Sequence, residues 1–231
     1  KSTLLKILNG DYQQTSGEYL VNGQPCHFNS PAEAVAAGIG VIYQERQIML
    51  QLTVGENIYL GRLPTGAFGK IKTKELHEKA QKIIDDFGLN IKSTDKVKDL
   101  SIAYQQMVEI MKAYSRENLK MIAFDEPTAS LSDAEIESLF HIIHKLKDEG
   151  KVVIYVSHRM AEIRQIADRV AIFKDGCYVG DSRVDEITDA QLIQKMVGRD
   201  LGDIFSGLDR NKTIGDVVLE ARDVESPFLK K

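Results

Sequence analysis

Apolar and polar positions change rhythm partway along this chain. In the first part, "STLLKILNG" has helical apolar spacing and stops on Asn9-Gly10. "GEYLVNGQPCHF" alternates on both sides of Asn22-Gly23 and predicts a hairpin. In "SPAEAVAAG", Ser30 is the cap, Pro31 the first turn and Gly38 the close of a short helix. "IGVIYQE" predicts a buried strand ending at Gln44. From Leu52 to about Leu89 the spacing is helical, most clearly in "TKELHEKAQKIIDDFGL", and "SIAYQQMVEIMKAYS" predicts a further helix.

After that, continuous apolar runs alternate with amphipathic segments. "LKMIAFDE" predicts a fully buried strand, and "SDAEIESLFHIIHKLKDEG" a helix with a Ser132/Glu135 capping box and Gly150 beyond its end. "KVVIYVSH" predicts a second buried strand, "RMAEIRQIAD" a helix, "RVAIFKDGCYVGD" a strand, turn and strand, and "TDAQLIQKMVG" a short capped helix. Val/Ile-rich strands alternating with helices predict an α/β fold whose mainly parallel sheet is covered on both faces. The helical block, about 52–115, is expected to form an inserted lobe. Residues 198–216 lose periodicity and read as a linker, and "VVLEARDV" begins a new strand within 217–231.

Composition narrows the picture. Of 231 residues, 43 % are apolar and 28 % charged, the balance of a soluble globular protein. A net charge of -4 argues against a dedicated nucleic-acid binder. The longest nearly apolar stretch, "AVAAGIGVIY", is about half the roughly 20 residues needed to cross a bilayer. Cys26 and Cys177 stand alone, as expected of idle thiols in a reducing compartment.

Several positions carry chemistry. In "MIAFDEPTASL" an apolar strand delivers Asp125 and Glu126 to the crevice above a parallel sheet, where open α/β folds bind ligands. Asp125 suits a hard cation such as Mg²⁺ and Glu126 the activation of a water. The opening Lys1-Ser2-Thr3 matches the end of a G-x-x-x-x-G-K-[ST] phosphate loop and starts a helix. "VIYVSH" presents His158 at the same crevice edge, if its strand neighbours the first. Gln44 marks the junction of sheet and helical block, a natural place for a ligand-sensitive hinge. In "LSIAYQQMVEI", Ser101 is an N-cap whose helix could turn N–H groups toward a phosphate.

Taken in order, these motifs resemble the ATP-binding cassette (ABC) ATPase domain, a P-loop NTPase fold, over nearly the whole chain. "YQQMVEIMKAYS", "DEPTASLSDAEIESLF", "VIYVSHRMAEI" and "MVGRDL" are similar to the ATP-binding subunits of bacterial monosaccharide importers of the ribose, galactose and xylose kind, which carry two cassettes in one polypeptide. The resemblance implies a first cassette over 1–197 lacking its N-terminal part, a linker over 198–216 and the start of a second cassette over 217–231. Without the loop glycines, such a piece is expected to bind ATP poorly. It implies ATP and Mg²⁺, with Lys1, Ser2, Thr3 and Asp125 on the nucleotide and Ser2, Gln44 and Asp125 toward the metal. Glu126 becomes the catalytic base and His158 and Gln44 its catalytic companions. Residues 129–132 become the loop that crosses to the opposite cassette, with Ser132 where the family usually has Asp. The family's Leu-Ser-Gly-Gly-Gln signature, which acts on ATP held by the partner cassette, reads "LSIAY" here. Ala103 and Tyr104 beside Ser101 are expected to crowd that phosphate, leaving the completed site impaired and the site built by this chain active.

The implied function is an energy-coupling subunit on the cytoplasmic face of the cell membrane. Its partners would be a transmembrane permease, indirectly a periplasmic or extracellular sugar-binding protein, and a second ABC cassette. The alternative is a soluble ABC ATPase in translation or DNA maintenance. Between Gln44 and Ser101, however, lie no heptads and no Cys pairs, and the linker is not basic. A small-molecule kinase with a phosphate loop would need neither "LSIAYQQ" nor the His.

Overall fold

In the computed structural model the described residues are 1–129, 131–197 and Glu220. Helix α1 (Ser2–Leu8) leads to a hairpin of β1 (Tyr19–Val21) and β2 (Gln24–Cys26). Its turn residues Asn22 and Gly23 both have positive φ, 53° and 76°, the geometry that makes Asn-Gly a hairpin signal. Helix α2 (Pro31–Ala37) is capped by Ser30, whose side chain accepts from the Glu33 amide. Strand β3 (Ile39–Ile42) follows, then α3 (Val54–Ile58), α4 (Thr73–Asp86) and α5 (Ile102–Tyr114). The second part runs β4 (Met121–Asp125), α6 (Asp133–Asp148), β5 (Val152–Val156), α7 (Met160–Ile166), the hairpin β6 (Arg169–Lys174) and β7 (Cys177–Arg183), and α8 (Asp189–Val197).

Strands β3, β4 and β5 form a parallel sheet in that order, with Ile42 opposite Phe124 and Asp125 opposite Val156. β4 is the central strand, and Ile122, Ala123 and Phe124 are wholly buried. The helices over 54–114 are not insulated from the sheet. Val54 and Ile58 of α3, Ala80 and Ile84 of α4 and Met107 and Ile110 of α5 share one buried cluster with Ile42, Ile122 and Phe124. Leu139, Ile142 and Leu146 extend the same cluster along α6. The helical block and the strands that end at the site thus share one core.

β5 departs from expectation. Its apolar run predicts full burial, yet Val152 is 58 % exposed and the other four residues are only half-buried. β4 covers one edge; beyond the other, among the described residues, lies a cleft of about 430 Å³ bordered by Lys1, Leu4, Val156 and Ile172 rather than another strand. The linker over 198–216 and the strand expected in 217–231 lie outside the described residues, apart from Glu220, which is exposed. Among the described residues no helix is long and apolar enough to cross a membrane.

The junction that sets the sheet register is Gly38, at φ 96° between α2 and β3. Its carbonyl accepts from the Lys120 and Met121 amides at 2.8 and 3.1 Å, while Asn118 donates to the Val35 and Ala36 carbonyls. A Cβ at this position would press against the Asn118 carbonyl oxygen, far inside van der Waals contact. Gly150, at φ 75°, has open space around it. Gly150→Ala should cost about 1–2 kcal/mol, the left-handed backbone penalty alone. Gly38→Ala carries that penalty and a backbone clash, and should cost at least about 2 kcal/mol more. Urea unfolding of the two variants checks this, and equal costs would contradict the account of the junction.

Candidate functional site

The site forms where β4 and β5 end. Asp125, the last residue of β4, is 8 % exposed. Among the described residues its carboxylate accepts no hydrogen bond, which leaves its oxygen lone pairs free. Glu126 follows with its amide donating to the Val156 carbonyl at 3.0 Å and its backbone at φ 48°. A non-glycine residue pays roughly 1–3 kcal/mol for that left-handed conformation, and such strain persists only where surrounding contacts over-determine it. The conformation swings the Glu126 carboxylate sideways to His158, whose Nδ1 lies 3.2 Å from Glu126 Oε1. Glu126 and His158 border a cavity of about 170 Å³ with Thr128, Ala129, Ser157 and Arg159.

On its other side Glu126 faces a second cavity of about 410 Å³ that holds Gln44. Gln44 lies two residues beyond β3, rather than within the strand, and is exposed. The segment around it is tied at both ends. Before it, the Tyr43 hydroxyl donates to Asp11, which also accepts from Asn9 Nδ2 at 2.8 Å, so the end of α1 anchors this turn. Burial and then the Asp11 carboxylate raise the Tyr43 pKa. After it, Arg46 Nη1 donates to Gln105 Oε1 at 3.0 Å and the Gln47 amide donates to Glu109, both on α5. Burial raises the Glu109 pKa, with the Gln47 amide opposing it, and one carboxylate oxygen is left buried without a partner.

Lys1, Ser2 and Thr3 open α1 and are exposed. α1 packs against β4, and Lys1 borders the 430 Å³ cleft beside Val156 and Ser157. The opening residues are therefore brought to the end of the strand that leads to His158. Among the described residues no group of three or more His, Cys, Asp or Glu side chains is assembled to hold a metal ion. His141 and His144 are both exposed on α6.

The Ser101 segment differs from its sequence reading. Ser101 Oγ accepts from the Tyr104 amide and donates to Glu135 Oε1, both at 3.4 Å, so the cap of α5 meets the capping box of α6. Ala103 is 3 % exposed and Tyr104 packs on the buried cluster. Both side chains expected to crowd a phosphate point into the protein instead. Ile102, which the motif comparison passed over, is the outward one, 46 % exposed and bordering the Gln44 cavity. Helical periodicity could have found it, since the buried stripe through Ala103, Met107 and Ile110 leaves Ile102 outside. The loop over 129–132 is described except at residue 130. Ser132 donates to Glu135 Oε2 from its amide at 2.9 Å and its hydroxyl at 2.8 Å, consistent with a cap.

Sequence reasoning also missed Glu162, in the first turn of α7, whose side chain is 5 % exposed. Its Oε1 accepts from Thr128 Oγ1 at 2.6 Å and Arg159 Nη1 at 3.3 Å. Its Oε2 accepts from Ser157 Oγ at 2.7 Å and Tyr155 Oη at 3.0 Å. Burial works to raise its pKa, but the hydroxyls of Ser157, Thr128 and Tyr155 and the Arg159 charge outweigh burial and hold it below the usual carboxylate range. The sequence signal was an acid inside the otherwise apolar-facing "RMAEIRQIA".

Comparison with known proteins bears on the family and the fold. A family model described as ABC transporter matches residues 1–129. An arabinose import ATP-binding protein, AraG, of Mannheimia succiniciproducens is 48 % identical over 231 residues, covering 100 % of this chain and 45 % of that protein. A ribose import ATP-binding protein, RbsA 2, of Escherichia coli O157:H7 is 47 % identical over 207 residues, covering 89 % of this chain and 40 % of that protein. The chain thus spans less than half the length of these curated relatives. Among solved structures, an ATP-binding cassette of an ABC transporter superposes with a TM-score of 0.73 at 26 % identity, covering 86 % of this chain and 82 % of that one. A nucleotide-free ATP-binding cassette shares the fold with a TM-score of 0.69 at 24 % identity, covering 86 % and 79 % of the two chains.

Glu162 gives the fold a pH dependence of defined sign. Its depressed pKa contributes stability that is present above the ordinary glutamate value of about 4.3 and is lost as pH falls through the range below it. In urea unfolding, the stability difference between wild type and Glu162→Gln should stay constant from about pH 7 to pH 5 and narrow below about pH 4.3. A difference that widens with acidification would show that the carboxylate is not held ionised.

Proposed function

The chain belongs to the ABC transporter family, and we propose that it is an ATP-hydrolysing cassette that drives import of a monosaccharide through a partner permease. The observation that carries this reading is the Glu126–His158 pair at 3.2 Å, set at the end of a buried parallel strand with Gln44 across the adjoining cavity. Glu126 takes the proton of the attacking water, a role that calls for a carboxylate beside a polar partner in a crevice. With its Nδ1 on Glu126, His158 keeps Nε2 for an oxygen of the terminal phosphate. Gln44 orients the same water and, on a segment stitched to α5 through Arg46 and Gln47, passes the state of the site to the helices over 54–114. Lys1 and Thr3 hold phosphate oxygens beside Asp125.

The donor set fits Mg²⁺. Asp125 is a buried carboxylate with free lone pairs, and Gln44 and Ser2 add a carboxamide and a hydroxyl, all hard oxygen donors. When bound, Mg²⁺ neutralises charge on the phosphates.

In the arrangement proposed, residues 1–197 form a first cassette whose helical lobe spans about 52–115, 198–216 link it onward, and 217–231 begin a second cassette. The pair sits on the cytoplasmic face of the membrane against permease subunits, which receive sugar from a periplasmic or extracellular binding protein. The relatives named above import arabinose and ribose, which supports a monosaccharide over other solutes. The site completed by Ser101 in the opposing cassette is the weaker one. Its impairment is assigned to Ile102, whose side chain stands where a glycine would leave the helix start open. The alternative of a soluble ATPase in translation or DNA maintenance draws no support from any observation here. Glu126→Gln in the full-length protein with its permease should slow ATP turnover by about 10²–10⁴-fold. Turnover within a few fold of wild type would remove Glu126 from the role of base.

A further inference from the structure

We infer that Glu162 is a positioning residue that fixes Glu126 and His158 relative to one another by holding both segments that carry them. The inference rests on the reading of that pair as the reacting groups. Thr128 lies two residues after Glu126, and Ser157 lies immediately before His158; their hydroxyls donate to opposite oxygens of Glu162 at 2.6 and 2.7 Å. With the Glu126–His158 contact at 3.2 Å, the chain closes into a ring through Glu126, Thr128, Glu162, Ser157 and His158. Ser157 Oγ in turn accepts from the Arg159 amide at 3.0 Å, so the residues on both sides of His158 are tied to one another.

The chemistry of the centre selects a carboxylate. Three hydroxyls and a guanidinium converge on one side chain, and only an acceptor-only group with about four lone-pair sites takes all of them without reversing a donor. Hydroxyl-to-carboxylate bonds of 2.6–2.7 Å are in the short, charge-assisted range. A buried charge is a poor choice for stability alone, since well-packed apolar groups often serve as well. α7 has other anchors: Ile163 and Ile166 are buried, and Arg164 donates to the Ile187 carbonyl and to Asp189. What Glu162 adds is restraint at the strained backbone of Glu126. The Val156 carbonyl holds that residue's amide, and the Thr128–Glu162 bond holds the turn two residues later. Release of the second restraint lets Glu126 leave φ 48° and carries its carboxylate away from His158.

The test is steady-state ATP turnover of the full-length protein with its permease, for Glu162→Gln, Thr128→Val and Ser157→Ala, each beside its thermal midpoint. We expect kcat to fall by about 10–100-fold, the scale of a misplacement near 1 Å, while KM for ATP stays within about threefold. Thr128→Ser and Ser157→Thr keep the donor and should restore kcat to within about threefold of wild type. If Glu162→Gln fails to fold, the two hydroxyl deletions, which leave the carboxylate in place, decide the matter. Folded deletion variants with wild-type kcat, or a raised KM at unchanged kcat, would overturn the positioning role, as would conservative variants that fail to restore turnover. If turnover in the wild type is indifferent to Glu126→Gln, the reading of the site falls and this inference with it. If turnover depends on Glu126 but not on Glu162, only the inference falls.

Discussion

The site depends on the parallel pairing of the buried strand β4 with its neighbours. Asp125 lies opposite Val156, and the Glu126 amide continues the ladder onto the Val156 carbonyl. On the other side Ile42 lies opposite Phe124, which brings Tyr43 and Gln44 level with Asp125 and Glu126. In a parallel sheet all three strands deliver their ends to one edge, so Glu126 comes to lie between two cavities, one shared with His158 and the other with Gln44, while Asp125 precedes it at the end of β4. Ile122, Ala123 and Phe124 are buried on both faces of the sheet, and one residue of slip would mismatch their packing and displace every group at the end of β4.

Around that edge, the short segments that carry chemistry are each pinned from outside the sheet. Asp11 pins the residue before Gln44, and Gln105 and Glu109 pin those after it. Glu162 pins the turns on either side of the Glu126–His158 contact. Glu135 joins the cap of α6 to Ser101 at the start of α5. Asp11, Glu135 and Glu162 each accept more than one donor, as an acceptor-only carboxylate can, whereas Gln105 and Glu109 take one each. Glu109 and Glu162 are buried, at 5 % and 4 % exposure. The apolar cluster shared by α3, α4, α5 and the sheet makes one core of the helical block and the strands.

Elements with local signals were legible in the sequence. Asn22-Gly23, the Ser30-Pro31 start, Gly38, the Ser132/Glu135 box and the apolar run of β4 each specify their structure within a few residues, and each appears as read. Asp125, Glu126, Gln44 and His158 could be named as candidates because strand ends in an α/β fold converge, and the structure brings Glu126 and His158 to 3.2 Å. What was not legible depends on distant partners. The half-exposure of β5 is a property of what lies beside it. The inward turn of Ala103 and Tyr104 follows from the face α5 buries, not from the motif at its start. Glu162 looks like an ordinary helix acid until the distant Thr128, and Tyr155 and Ser157 from the preceding strand and turn, are folded onto it.

In the site proposed, Asp125, at the end of β4, completes the binding of a divalent cation carried by a nucleotide. Mn²⁺ in place of Mg²⁺ makes this visible by electron paramagnetic resonance on the full-length protein. Wild type should bind Mn²⁺ only when ATP is present, and Asp125→Asn should lose one equivalent of that nucleotide-dependent signal while the fold is retained. Mn²⁺ bound as tightly in Asp125→Asn as in wild type, or bound without nucleotide, would contradict the account.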